Sequence, residues 1–231
     1  PKAEFNLVIS PWVGVRIAEL LEEKFETKYL HYETLPIGGK ETSKFLRKVA
    51  EFAGINKDFV EKVIKEKEDK YYHFLIRASE FLVESRYDFP RKFFIIDDSA
   101  YTLGLSKFLV NDLGLLPGHQ FITEDVPKKF KQNIKMYFKN ISDNVSSEIT
   151  FSQDGGIIND ELLKYKNDAY PLVLGSSWDI DIANELGALY LSVGLPAADR
   201  LILNNTYVGY KGGLNLTEDI YSKLLSQQCE V

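Results

Sequence analysis

At 231 residues, with 45% hydrophobic, 27% charged and 13% aromatic side chains, the chain has the composition of a soluble globule, which excludes a disordered, collagen-like or disulfide-stapled protein. Lys and Arg number 28 against 34 Asp and Glu, and the resulting charge of −6 disfavours nucleic acid and anionic membrane surfaces as partners. The single cysteine, Cys229, excludes an internal disulfide and any all-thiolate zinc or iron–sulfur site made by one copy, and points to a reducing, cytoplasmic setting.

In chain order, residues 5–10 form a short apolar run that predicts a strand. The chain opens at Pro1 and runs straight into this pattern, so it reads as a fragment of a larger chain. Pro11 and Gly14 open a helix with Val15, Ile17, Ala18, Leu20, Leu21 and Phe25 at helical spacing. Residues 29–32 predict a second strand, and Pro36-Ile37-Gly38-Gly39 breaks the chain. Thr42 or Ser43 is the expected cap of a helix that runs to Phe52 and stops near Gly54. Asn56 is the expected cap of a longer helix to Ser85, whose polar middle over 65–70 reads as a solvated face with i,i+4 charge pairs.

After Pro90 the rhythm becomes regular. Strands are predicted over 92–96, 120–123, 148–151, 172–175 and 188–193. Helices are predicted from Asp97-Asp98-Ser99 to Gly114, over 127–138, 160–165 and 180–186, and finally over 217–225. No apolar run reaches the roughly 20 residues that span a bilayer. The alternation predicts an α/β fold of Rossmann-like parallel sheet layers flanked by helices. Its expected parts are a partial α/β unit with long connecting helices over 1–89, and a Rossmann-like domain with a C-terminal helix over 90–231.

Ligands of open parallel sheets bind beyond the carboxyl ends of the strands. That rule selects Ser10, Asp97, Asp98, Ser176, Ser177 and Gly194 as candidate cofactor-contacting positions. Asp97 and Asp98 suit a hard cation or acid–base work, but Asp at a helix start more simply caps it. Gly175-Ser176-Ser177 offers backbone N–H groups to an anion, yet it lacks a P-loop lysine and the dinucleotide glycines; turn geometry explains it equally well. His31, His73 and His119 make no metal pair, and His73 beside Tyr71 and Tyr72 suits surface or interface packing. Cys229 reads as a tail thiol. No catalytic residue and no metal ligand emerges from the residues alone.

Several segments recur in a familiar order. They are Leu21-Glu22-Glu23-Lys24-Phe25; Pro36-Ile37-Gly38 followed by residues 42–46; Asp97-Asp98 leading to Gly104-Leu105 and Phe108-Leu109; Leu174-Gly175-Ser176-Ser177; Gly194-Leu195-Pro196-Ala197-Ala198-Asp199-Arg200; and Gly209-Tyr210-Lys211-Gly212-Gly213. This series resembles the C-terminal half of nitrogenase component 1 chains, the molybdenum–iron protein type, and the beta-type chain more than the alpha-type. The resemblance implies a nitrogen-fixation oxidoreductase built from repeated Rossmann-like domains. It implies an alpha-type component 1 chain as partner and an ATP-dependent iron protein as reductase.

The resemblance also bears on cofactors. Beta-type chains hold their P-cluster through cysteines of the N-terminal half. The alpha-type cofactor cysteine, which follows an Asn-Leu-Val-x run, corresponds to Ser10, and the alpha-type cofactor histidine falls near Gly194. Serine is a poor ligand for soft iron–sulfur centres and glycine has no ligand atom. The two beta-type aspartates that bind a cation between beta chains fall on Tyr72 and Ile76, neither suited to a hard cation, which points to a divergent branch. The implied role is a scaffold around iron–sulfur clusters ligated by upstream cysteines or by a partner chain, with no cofactor bound by this stretch. The alternatives are a cofactor-assembly scaffold without reductive turnover, a nitrogenase-like reductase of a tetrapyrrole or another substrate, and an α/β binding domain that shares the fold alone. Self-association is expected too, through apolar surface left bare by the incomplete first sheet.

Overall fold

Parallel neighbouring strands need a long crossover, which helices supply, and the described residues form two such sheets. β1 (Asn6–Ile9) and β2 (Tyr29–Tyr32) pair in parallel, with α1 (Val15–Phe25) as the crossover. α2 (Gly38–Phe52) and α3 (Lys57–Ser85) lead into the second sheet. There the strands are β3 (Lys92–Asp97), β4 (Leu116–Pro117), β5 (Gln120–Ile122), β6 (Ile149–Phe151), β7 (Leu172–Gly175) and β8 (Leu189–Ser192). They lie in the order β6-β5-β3-β7-β8, all parallel, with the two-residue β4 on β3 off that path. The computed structural model describes residues 3–85, 89–168 and 170–228; Cys229 lies outside them. No helix among the described residues is long and apolar enough to cross a membrane.

β3 is buried on both faces, which explains its unbroken apolar run. Phe93 and Ile95 pack with α4 (Ser99–Asn111) and α8 (Gly209–Gln228) through Leu105, Phe108, Leu216 and Ile220. Phe94 and Ile96 face α6 (Gly155–Leu163) and α7 (Ile180–Glu185) through Ile158, Leu162, Ile182 and Ala183. α5 (Lys128–Lys139) adds Ile134 and Phe138 to a third cluster with Leu103 and Ile122. Where β4 and β5 part along β3, the side chain of Gln120 bridges the gap. Its Oε1 accepts from the amide of Ile95 at 2.7 Å, and its Nε2 donates to the carbonyl of Gly118 at 3.0 Å. A buried amide so placed satisfies backbone groups that the sheet leaves open.

Two of the glycine motifs fold against each other. The Gly209 amide donates to the Pro36 carbonyl at 2.7 Å, and Ile37 bridges to Gly209. A Cβ on Gly213 would lie 2.6 Å from the Cα of Gly38, so α2 and α8 cross with their backbones in contact. This crossing corrects two expected boundaries. α2 begins at Gly38, not at a Thr42 or Ser43 cap, and both residues are buried inside it. Thr42 Oγ1 donates to the Pro36 carbonyl at 3.3 Å; Ser43 Oγ donates to Glu68 Oε1 and lies 2.7 Å from the Tyr210 hydroxyl. α8 begins at Gly209, eight residues before the expected Thr217, because close packing outweighs the poor helix propensity of its glycines.

Other boundaries moved for local reasons. α6 begins at Gly155 rather than Asp160, since Asp154 accepts from the amides of Gly156 and Ile157 and caps it early. Asn56 caps α3 as expected, accepting from the Phe59 amide at 2.9 Å. The polar stretch over 65–70 is not wholly solvated: Glu68 turns inward to Ser43, and the ion pair within the stretch joins the neighbours Glu66 and Lys67 at 3.0 Å. Lys107 of α4 is buried, with its ammonium 3.3 Å from Glu41 and 3.5 Å from Glu33, which links the first unit to the second sheet.

Candidate functional site

The second sheet reverses its strand order at β3: β5 and β6 lie to one side, β7 and β8 to the other. Neighbouring connections leave the sheet on opposite faces at such a point, and a crevice opens past the carboxyl ends. A cleft of about 330 Å³ lies there, lined by Asp97, Thr123, Gln153, Asn159, Ser176, Trp178, Asp179, Gly194 and Leu195 among others.

Asp97 ends β3. Its Oδ1 accepts from the Asp98 amide at 2.7 Å, while its Oδ2 is buried without a partner. A Cβ on Gly194 would sit 2.5 Å from that oxygen, so only glycine lets the β8 loop close over it. Burial is the largest influence on this carboxyl. Together with the charges of Asp98, Asp179 and Glu124 it outweighs the Asp98 amide and pushes the pKa up to about 7. Asp98 behaves as a cap: its Oδ1 accepts from the amides of Ala100 and Tyr101, both at 2.8 Å. Burial raises its pKa as well.

The Gly175-Ser176-Ser177 turn already holds a carboxyl group of its own. The Ser176 amide and hydroxyl donate to Asp179 Oδ2 at 2.7 and 2.9 Å, completing a capping box. Asp179 therefore occupies the place where the backbone N–H reading would put a ligand. Burial, the leading influence, raises the Asp179 carboxyl despite those two bonds. Ser177 fixes the neighbouring loop: its amide donates to the Pro196 carbonyl at 2.8 Å, and its hydroxyl accepts from the Ala198 amide.

Ser10 is buried and spent locally. Its hydroxyl accepts from the Val13 amide at 3.1 Å, and its carbonyl accepts from His31 Nε2 at 2.8 Å. Just beyond it, Trp12 Nε1 donates to Glu124 Oε1 at 2.9 Å, and the same oxygen accepts from the Ser99 amide at 2.9 Å. The carboxyl ends of the two sheets are thus tied together. Of the six candidate positions, Asp97, Ser176 and Gly194 meet in the cleft, whereas Ser10, Asp98 and Ser177 serve turns and caps beside it. Asp179, Glu124 and Trp178 escaped the sequence reading. The Ser-x-x-Asp spacing of Ser176 and Asp179 is a readable capping signature; the placement of Glu124 and Trp178 is tertiary and left none.

An iron–sulfur cluster does not fit these donors. The cleft offers carboxylates, hydroxyls and amides, not thiolates or imidazoles. Among the described residues no group of three or more His, Cys, Asp or Glu is arranged to hold a metal ion. Ser10 spends its oxygen on a turn, and Gly194 has none to offer.

Comparison with known proteins adds the relationship. The chain is 29% identical over 197 residues to the nitrogenase molybdenum-iron protein beta chain of Methanococcus maripaludis, covering 84% of this chain and 39% of that one. It is 25% identical over 226 residues to the beta chain of Clostridium pasteurianum, covering 97% of this chain and 46% of that one. It is 23% identical over 236 residues to one of the chains of the light-independent protochlorophyllide reductase of Crocosphaera subtropica, covering 96% and 42%. A solved structure described as nitrogenase Cp1 at pH 6.5 superposes with a TM-score of 0.75 at 23% identity, over 97% of this chain and 46% of that chain, and shares the fold. The chain thus spans less than half the length of these relatives. The family model for nitrogenase component 1 type oxidoreductases matches residues 1–225, and the chain belongs to that family.

Proposed function

We propose that the chain is the C-terminal part of a beta-type component 1 chain, serving as protein wall and scaffold for a metallocluster ligated elsewhere. The observation that supports this reading most is the state of the two positions where alpha-type ligands fall: Ser10 is consumed by a turn and Gly194 by close packing on Asp97, while Trp12 and Glu124 join the two carboxyl edges into one wall. In this reading residues 1–89 form a partial unit and 90–231 the Rossmann-like domain. The partners are an alpha-type component 1 chain and an ATP-dependent iron protein, and the setting is the cytoplasm. The chain alone would be inactive, and exposed Leu7, Ile17 and Phe25 favour its self-association.

The similarity to the protochlorophyllide reductase chain supports a second reading, a tetrapyrrole reductase of the same architecture. One experiment separates these. The protein is tagged in its own cells, isolated without oxygen and weighed by native mass spectrometry. The nitrogenase-type reading expects an alpha-type component 1 chain in the complex, with iron in the assembly. A partner of the protochlorophyllide reductase type supports the second reading. Isolation without any component 1 partner contradicts both.

A further inference from the structure

The cleft carries a mouth and a charge that a passive wall does not use. Trp178 and Leu195 line it and are 83% and 85% exposed; the same loop continues to Leu201 and Leu203, 83% and 84% exposed. Large apolar side chains bared together on one loop mark a surface that another polypeptide segment covers. The interior is acidic: Asp97 and Asp179 line it, Asp98 and Glu124 act on Asp97 from close by, and no Lys, Arg or His lines it among the described residues. Asp97 Oδ2, buried under the Gly194 turn, takes no hydrogen bond from the chain, so its charge reaches the cleft through the field rather than by contact. Arg200, five residues beyond Leu195 on the same loop, is spent on the Tyr207 hydroxyl at 2.8 Å and Asp219 at 3.0 Å.

An exposed indole beside desolvated carboxylates matches one chemical group above others. A guanidinium is planar, stacks on an aromatic face and donates to carboxylate and amide oxygens in the same plane. The apolar loop beside the mouth matches the side chains flanking that group in a polypeptide, which a free cation lacks. We propose that this face docks a segment of a partner protein that places an arginine side chain in the cleft beside Trp178, with apolar neighbours against Leu195 and its loop. The charge complementarity holds for either component 1 reading above.

The test is calorimetric titration of the whole chain at about pH 8, where Asp97 is ionised. Three probes are used: the peptide acetyl-Leu-Ala-Arg-Ala-Leu-amide, the same peptide with neutral citrulline for arginine, and N-acetylarginine amide. The arginine peptide is expected to bind about tenfold or more tighter than either of the others. Asp97→Asn is expected to shrink the preference for arginine over citrulline, and Trp178→Ala to weaken both peptides. Equal binding of the two peptides would reduce the face to an apolar patch and overturn the proposal. Equally tight binding of N-acetylarginine amide would make the cleft a small-cation pocket and overturn it too. Absence of binding by all three would do the same.

Discussion

Lys107→Met is expected to lower the stability of the chain by about 3 kcal/mol, with Glu41→Gln in the same chain recovering most of the loss. The Lys107 and Glu41 side chains are each only 6% exposed, and their charged atoms lie 3.3 Å apart. Tyr32 also donates to Glu41 Oε2, at 3.1 Å. Methionine keeps the bulk of the lysine stem, so the loss reports the missing ammonium rather than a cavity. What remains at Glu41 is a buried carboxylate with one hydroxyl donor and the exposed Lys44 at 3.6 Å, which cannot replace a buried counter-charge, whereas Glu33, the other partner of Lys107, is 22% exposed and keeps water. Glutamine removes that stranded charge, hence the recovery. Urea unfolding of the two single variants and the double variant measures the coupling. A loss below about 1 kcal/mol for Lys107→Met would mean that solvent screens this pair as it does a surface bridge.

Asp97→Asn is expected to act in the opposite direction. The folded state holds the Asp97 proton up to about pH 7, while the unfolded state releases it near the ordinary aspartate value of 3.8. Well below the unfolded value of 3.8 both states are protonated and this group favours neither. Between those values the folded state alone keeps the proton, so the stability from this group falls as pH rises. Above about pH 7 the folded chain carries a buried charge with an oxygen that nothing bonds. Asparagine stays neutral throughout and keeps Oδ1 for the Asp98 amide. The variant is therefore expected to be more stable than the parent by on the order of 2 to 4 kcal/mol at about pH 8, with the difference vanishing well below about pH 4. Unfolding curves of both proteins across that range give the answer. A difference that does not change with pH would remove Asp97 from the account of the cleft.

Much of the fold was legible. β2 and β7 fall on the expected residues because they are short apolar runs bounded by turn residues, and the strand–helix alternation fixed the parallel α/β class. The helix starts at Gly38, Gly155 and Gly209 were not legible for a shared reason. Glycine argues against helix locally, and only the backbone contact of α2 with α8, or a cap as at Asp154, reverses that argument. The same contact gives two of the resemblance-bearing motifs a physical meaning: Pro36-Ile37-Gly38 and Gly209-Tyr210-Lys211-Gly212-Gly213 are the two sides of one crossing.

The site was half legible. Strand ends pointed to Asp97, Ser176 and Gly194, and topology brought them together. It could not reveal that Asp179 fills the Ser176 turn, or that Ser10 is closed off by Val13. Lys107 was invisible for a related reason. A lysine in a helix reads as surface until Glu41, 66 positions away, is folded onto it.

The scaffold role is tested most directly by the iron content of this chain, produced alone and purified without oxygen in the presence of iron and sulfide. The donors present expect a colourless protein with iron at background level. Iron retained in stoichiometric amount, with absorption in the visible range, would contradict the claim that the cluster is ligated elsewhere.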